Sequence, residues 1–341
     1  MRSACVSVEL RRANEALKKL REEGLLRKGL IPRRAGGRLL IPVEDPVKAS
    51  GLVGGEVCED DFEVSDRGRT YKDFLKGALP NDVIASLPRS YDVVGDIAII
   101  RLDEEHLPFA EAIADAIMRV AKNVRAVYAS LGVEGEWRVP RLVHLGGERR
   151  TETVHREYGV RIFVDVARAY FNPGLGGEHR RVAGLVRDGE VVADLFAGVG
   201  PFALHIARVR KALVFAVDIN PWAIMCLLRS LTMNKLVGRV VAISGDARDF
   251  LSVIKDSALD RVIMNLPHRS AEFLPAALKL CSRDRGCTIH LYVIASTPEE
   301  AAERARVGSV EGVVRVLDYA PYKYVFRVDI RVEPGGLPQS S

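Results

Sequence analysis

From about residue 191 to residue 295 the sequence alternates short apolar runs with amphipathic ones, at a spacing that leaves few ways to fold. Runs at 191–195, 213–218, 240–244, 261–265 and 288–295 have strand length, and the stretches 201–209, 221–234 and 270–280 between them have helical length and periodicity. Strands separated by helical crossovers run parallel, so this half of the chain is predicted to be an α/β domain with a mostly parallel sheet and helices on both faces. Two further strand-like runs, 313–318 and 324–332, lie too close together for a helical crossover and predict an antiparallel pair at the sheet edge.

The 341 residues exceed one average domain, which points to two or three. Val6, Val8 and Leu10 alternate, Leu17, Leu20 and Leu25 follow a helical period, and 39–43 is a short apolar strand, so the first forty-odd residues read as a small α/β unit. Residues 44–69 are rich in Gly, Asp and Glu with little periodicity and read as a linker. A second region holds a strand-like run at 91–102, a helix at 108–121, a strand at 125–130 and a basic stretch from Arg138 to Arg156. The expected division is 1–65, 66–160 and 161–341, with two smaller α/β domains before a Rossmann-type domain.

A formal charge of +5 permits a polyanionic partner without demonstrating one. The five cysteines, Cys5, Cys58, Cys226, Cys281 and Cys287, form no CxxC pair, so neither a zinc site nor a disulfide framework is expected and reduced structural thiols are the default. No apolar run reaches the roughly 18 to 20 residues needed to cross a bilayer, and the N-terminus is charged, which predicts a cytoplasmic protein without membrane contact. A single glutamine, Gln339, beside many Arg and Glu residues suits a hot environment.

The segment Asp194-Leu-Phe-Ala-Gly-Val-Gly-Pro-Phe202 falls where the first parallel strand gives way to the first helix, the place where open α/β sheets bind nucleotides. Gly198 and Gly200 allow close backbone approach, and Pro201 suits a first helical turn. Phe196 and Ala197 complete the predicted cofactor loop. The same residues satisfy G-x-G-x-x-A, so the loop alone does not separate NAD from S-adenosylmethionine. The residues at successive strand ends do separate them. Asp218, some twenty residues on, is placed to accept from ribose hydroxyls, Asp246 follows the third strand near the adenine amino group, and Asn265-Leu-Pro267 follows the fourth. Any one of these Asp residues is more often a helix cap or turn residue. Four in register at the carboxyl ends of consecutive strands point to a methyltransferase layout.

These segments, with Tyr170-Phe-Asn-Pro173, Gly177-Glu178, Asp218-Ile-Asn-Pro221, Ser90-Tyr-Asp-Val-Val-Gly-Asp96 and Tyr319-Ala-Pro-Tyr-Lys-Tyr324, resemble the archaeal and eukaryotic-type tRNA (guanine37-N1)-methyltransferases over nearly the whole chain. The resemblance implies an N-terminal module that touches the tRNA elbow, a middle domain that grips the anticodon arm, a Rossmann-type catalytic domain, S-adenosylmethionine as cofactor, tRNA as partner, and a monomer. It implies that Glu178 is the general base for guanine N1 and that Arg138 holds O6. It also implies that Asn265 and Pro267 line the base pocket and that Tyr170 shapes it. Where many relatives carry a basic residue after Tyr-Phe-x-Pro, this chain has Gly174, so a contact made there is lost or supplied by His179 or Arg180. The chemistry asks for the same residue types: guanine N1 carries a proton at neutral pH, so attack on a sulfonium methyl needs a base and a cation at the developing O6 charge. No metal is required, and no ligand cluster is evident in the sequence.

On residue type alone, Glu178 in a Gly-rich loop reads as a solvated cap, Arg138 as one phosphate contact among Arg141, Arg149, Arg150 and Arg156, and Phe171 as core. Rival functions are C7 methylation of a tricyclic wyosine intermediate, aminocarboxypropyl transfer, a non-catalytic RNA-binding factor with a vestigial domain, and an NAD-dependent oxidoreductase. The Asn-Leu-Pro triplet favours methyl transfer, the retained Asp series disfavours a vestigial domain, and no catalytic His or Tyr-Lys arrangement supports an oxidoreductase.

Overall fold

A computed structural model of the chain describes residues 1–27, 29–64, 70–135, 139–255, 258–305 and 308–335. Arg138 lies outside them. The chain divides into two compact units, 1–78 and 79–341.

In the first unit the elements run β1 (Arg2–Glu9), α1 (Ala13–Glu22), β2 (Arg33–Ala35), β3 (Arg38–Pro42), α2 (Pro46–Val53), β4 (Glu56–Asp61) and α3 (Tyr71–Leu75), with sheet order β2-β3-β1-β4. Val6 and Val8 of β1, Ala16 and Leu20 of α1, Ile41 of β3 and Ala49 and Val53 of α2 form its core. The stretch expected to be a linker therefore carries a helix and a strand. The helix is well signalled: Asp45 accepts from the N–H groups of Val47 and Lys48 at 3.1 and 3.0 Å, Pro46 opens the first turn, and Gly54 closes the helix at φ +64°. Strand β4 is an edge strand whose Glu and Asp residues face largely outward, so its composition mimics a connection. Its register sets Cys58 directly opposite Cys5, and the two form a disulfide, which corrects the expectation of reduced thiols throughout. Cys226, Cys281 and Cys287 are free and buried.

The second unit begins with α4 (Asn81–Ser86), β5 (Asp92–Val94), β6 (Ile97–Arg101), α5 (Ala110–Val120), β7 (Ala126–Glu134) and β8 (Val139–Gly147), in a four-stranded sheet β5-β6-β7-β8 with β6 and β7 parallel across α5. The run 91–102, read as one strand, is a hairpin. Gly95 turns it at φ +60°, where an added Cβ would meet Thr153 Oγ1 at 2.1 Å, and Asp96 is held by Arg150 Nη1 at 3.0 Å and Thr153 Oγ1 at 2.7 Å. The basic stretch is thus partly structural, since Arg150 serves this turn and Arg141 pairs with Glu104 at 2.7 Å.

The remaining elements are β9 (Glu152–Glu157), β10 (Val160–Asp165), α6 (Gly176–Leu185), β11 (Val191–Asp194), α7 (Pro201–Val209), β12 (Leu213–Asp218), α8 (Pro221–Met233), β13 (Arg239–Ser244), α9 (Ala247–Val253), β14 (Arg261–Met264), α10 (Ser270–Leu280), β15 (Cys287–Ala295), α11 (Pro298–Glu303), β16 (Ser309–Ala320) and β17 (Lys323–Val332). Strands β9 and β10 make a hairpin, and the others form a seven-stranded sheet in the order β13-β12-β11-β14-β15-β17-β16. Its first five strands are parallel, and β17 is antiparallel to both neighbours, as the short β16–β17 connection requires. Apolar clusters cover both faces, so the strands read as near-continuous apolar runs. This is the predicted α/β class with a Rossmann-type sheet. Among the described residues no helix is long and apolar enough to cross a membrane.

Candidate functional site

The order of β11, β12 and β14 reverses at β11, and a cleft opens at the carboxyl ends of these strands, where such sheets bind ligands. It has a volume of about 250 Å³ and is lined, among others, by Phe196, Ala197, Gly198, Asp218, Asp246, Asn265, Pro267 and Tyr170. Eight predicted site residues thus meet in one place.

Local geometry explains how. Gly198 and Gly200 take φ +54° and +80°, the left-handed region, and a Cβ on Gly200 would lie 2.3 Å from Leu227 Cδ1, so the loop's tight entry into α7 needs glycine there. The Gly198 N–H donates to Asp218 Oδ2 at 2.6 Å, and the Asn220 N–H donates to Asp218 Oδ1 at 2.9 Å. Asp218 therefore clamps the loop as well as facing the cleft. Burial raises its pKa, partly offset by these two donors. Asp246 caps α9, accepting from the Arg248 N–H at 2.7 Å, and its pKa is lowered chiefly by the Arg248 side chain. The capping role and the cleft position coincide in one residue. Phe196 packs edge-on against Phe273 at 4.9 Å and gives the cleft an apolar wall between its polar ends. Apolar walls with carboxylates and an amide at the rims suit a nucleoside-bearing cofactor.

Three predicted residues stand elsewhere. Gly200 shapes the loop from behind, packed on Leu227, and is not among the lining residues. Asp194 is fully buried beneath the loop, and neither carboxylate oxygen has a hydrogen-bond partner. Burial, then the charge of Asp218, push its pKa up to about 8, so at neutral pH it is mostly the neutral acid.

Glu178, in the first turn of α6, is buried beside the cleft and is not among its lining residues. Its carboxylate accepts from Tyr292 Oη at 2.6 Å, from Arg327 Nη1 at 2.9 and 3.1 Å, and from Arg181 Nε and Nη2 at 2.9 and 3.0 Å. Burial raises its pKa, but the bonds from Arg181 and Tyr292 and the charge of Arg327 outweigh burial and hold it at about 2. Arg327 Nε also donates to Asp329 Oδ1 at 2.8 Å, and that oxygen meets His290 Nδ1 at 2.6 Å. Arg261 Nη1 lies 2.8 Å from His290 Nε2, and because a guanidinium only donates, His290 accepts there and carries its proton on Nδ1. A charged chain thus runs Arg181–Glu178–Arg327–Asp329–His290–Arg261 and ends on Glu190, 2.8 Å from Arg261 Nε.

A second buried cluster was not foreseen. Glu157 Oε2 meets His179 Nδ1 at 2.8 Å and His205 Nε2 at 3.1 Å, and the three donor atoms lie close enough to hold an ion, although the sequence showed no ligand cluster. The two ring N–H groups account for the geometry as hydrogen bonds. His179 also lines the cleft. The missed partners left one signal: His290 and Tyr292 on β15, and Arg327 and Asp329 on β17, are polar residues two apart within the apolar centres of their strands, hence on one face.

Residues 153–317 match the TRM5/TYW2 methyltransferase domain, residues 71–151 the TYW2 N-terminal domain and residues 5–50 the tRNA methyltransferase 5 N-terminal domain. The chain is 42% identical over 340 residues to the tRNA (guanine(37)-N(1))-methyltransferase Trm5b of Pyrococcus abyssi, covering 96% of this chain and 98% of that one. The crystal structure of Trm5b from Pyrococcus abyssi superposes with a TM-score of 0.77 at 39% identity, over 97% of this chain and 99% of that one. The structure of aTrm5 with tRNALeu gives a TM-score of 0.72 at 29% identity, over 96% and 99%.

Proposed function

The chain belongs to the TRM5/TYW2 methyltransferase family, and from that premise we propose that it transfers a methyl group from S-adenosylmethionine to N1 of guanosine 37 in the anticodon loop of tRNA. The observation that carries the reading is the cleft that gathers Phe196, Ala197, Gly198, Asp218, Asp246 and Asn265-Leu-Pro267 at the strand ends. These residues fit the cofactor: Asp218 at the ribose end, Asp246 at the adenine end, Phe196 against the base, and the glycine loop at the close approach. When bound, S-adenosylmethionine supplies an electrophilic sulfonium methyl.

The chain's own residues do the rest in this reading. Asn265, Pro267 and Tyr170 seat the guanine. Glu178 takes the N1 proton as the N1–carbon bond forms and the carbon–sulfur bond breaks, and Arg138 holds the charge developing on O6. A carboxyl with a pKa near 2 is always ionised under working conditions but weakly basic, so the guanine must displace one of its guanidinium or phenol donors to reach it. Alignment of the reacting atoms supplies a large share of the rate. The reading further assigns 1–65 to the tRNA elbow, 66–160 to the anticodon arm and 161–341 to catalysis, in a monomeric, cytoplasmic enzyme from a hot environment. At Gly174 the backbone N–H bonds to Asn172 Oδ1 at 2.9 Å, and Arg180, whose guanidinium lies 4.7 Å over the Tyr158 ring, is the candidate to supply the cation that relatives carry there.

Total tRNA methylated with labelled cofactor and digested for mass spectrometry tests the reading. It expects 1-methylguanosine at position 37. Label in a wyosine derivative, or none in tRNA, would overturn it, and calorimetric binding of NAD without binding of S-adenosylmethionine would overturn the cofactor as well.

A further inference from the structure

The motif Tyr319-Ala-Pro-Tyr-Lys-Tyr324 forms the tip of the β16–β17 hairpin and takes no part in the reaction just described. Arg315, Asp318, Tyr319, Tyr322 and Tyr324 line a second, shallower hollow there, of about 380 Å³. Tyr319 is common to this hollow and to the cleft. Its ring packs edge-on against His268 at 5.3 Å, and its hydroxyl lies 3.3 Å from His268 Nε2, one residue beyond Pro267. The hollow therefore begins where the acceptor-base end of the cleft stops.

Tyr322 is the unusual member. It sits at φ +59°, in the left-handed region that glycine or asparagine occupies without strain, and its side chain is 84% exposed. A tight turn needs neither a strained aromatic residue nor a ring in water, and a glycine would satisfy the backbone better. Beside it the Arg315 guanidinium lies 3.6 Å over the Tyr324 ring and is held by Asp318, which fixes a flat cationic surface at the floor of the hollow. Lys323 is exposed on the same turn. Flat aromatic and guanidinium faces with a nearby ammonium have the chemistry that grips an unpaired nucleotide, the rings stacking on the base and the ammonium meeting its phosphate.

We propose that this hairpin tip, with Tyr322 as its principal surface, is a stacking platform for the nucleotide adjoining the methyl-accepting guanosine. The proposal rests on the RNA-methyltransferase reading. A base drawn into the cleft leaves its neighbour in the strand unstacked at the rim, and the rim shared through Tyr319 is where that neighbour emerges. The platform replaces the lost stacking partner.

The test uses the full-length enzyme and anticodon stem-loops carrying 2-aminopurine immediately 5′ or 3′ of guanosine 37. Methyl transfer by the unaltered enzyme is measured first, and its absence from every RNA overturns the reading beneath the proposal. With transfer present, the platform predicts that one of the two labelled RNAs changes fluorescence on binding. Tyr322→Ala should abolish that change and raise KM for RNA about tenfold, with the KM for S-adenosylmethionine unchanged. Tyr322→Trp should retain both properties. Tyr322→Gly separates binding from folding: it should raise Tm by relieving the backbone while weakening RNA as much as the alanine variant does, whereas loss of a purely structural tyrosine would lower Tm and leave RNA binding unchanged. An unaltered KM and fluorescence response in Tyr322→Ala overturns the platform.

Discussion

Two buried carboxylates, one within a helix and one packed against its first turn, are held ionised by different partners. Glu178 lies in α6 and Glu157 packs against its first turn, where a Cβ on Gly176 would come within 3.1 Å of Glu157 Cδ. Both are buried, and in both burial alone would raise the pKa, yet each is held at about 2. Their donors differ. Glu178 is held by two guanidinium groups and a phenol, Glu157 by two imidazole N–H groups. Burial lowers the pKa of His179 despite Glu157, so that imidazole is neutral at neutral pH. One site is an ion-pair network and the other a carboxylate held by two imidazole N–H groups. A low pKa alone therefore does not say which carboxylate takes part in chemistry.

The largest expected difference is in stability. Arg327→Met leaves Glu178 and Asp329 short of a buried cation and should cost about 3–5 kcal/mol in urea unfolding. His205→Leu removes only one of two imidazole donors and should cost about 1–2 kcal/mol. Equal losses at the two sites would break the comparison.

Acid should expose both carboxylates alike. A depressed folded-state pKa gives stability that is complete above the unfolded value of 4.5 and is lost as pH falls through about 2, so each carboxylate contributes about 3 kcal/mol at neutral pH that disappears across that window. Glu178→Gln and Glu157→Gln should each flatten the fall in unfolding free energy between pH 5 and pH 2. A steep fall unchanged in both variants would show that the carboxylates are ordinary.

Catalysis should separate them again. Under the proposed base role, Glu178→Gln slows single-turnover methyl transfer about a hundredfold or more, with cofactor and tRNA affinities retained. Glu157→Gln should leave the rate near that of the unaltered enzyme. Equal rates in the two variants would remove Glu178 from the reaction.

The narrowest change concerns one hydrogen bond. Tyr292→Phe takes a single hydroxyl from Glu178 and should cost about 1.5–3 kcal/mol while raising the carboxyl's pKa, visible as an acid limb shifted upward in the pH–rate profile.

How much of this was legible in the sequence follows from range. The parallel sheet could be read because strand length, helix length and apolar pattern are local, and the cleft residues because each follows its own strand. Strand β4 was missed because its partner β1 supplies the pairing while its own residues are those of a charged edge. The hairpin at 91–102 was missed because the steric demand on Gly95 comes from Thr153. Glu178's partners were out of reach for the same reason: Tyr292 and Arg327 arrive from 114 and 149 residues away. The depth of Asp194 was not legible either: it stands first in the motif, and the strand end that displays the loop buries the residue that begins it.

The Cys5–Cys58 bond closes a ring of chain that contains the exposed Gly36-Gly37 turn between β2 and β3. A protease that nicks that turn cannot release the first strand, because the severed ends remain joined through sulfur. The cut protein should migrate at its full 37.5 kDa until a reductant is added, and only then part into two fragments.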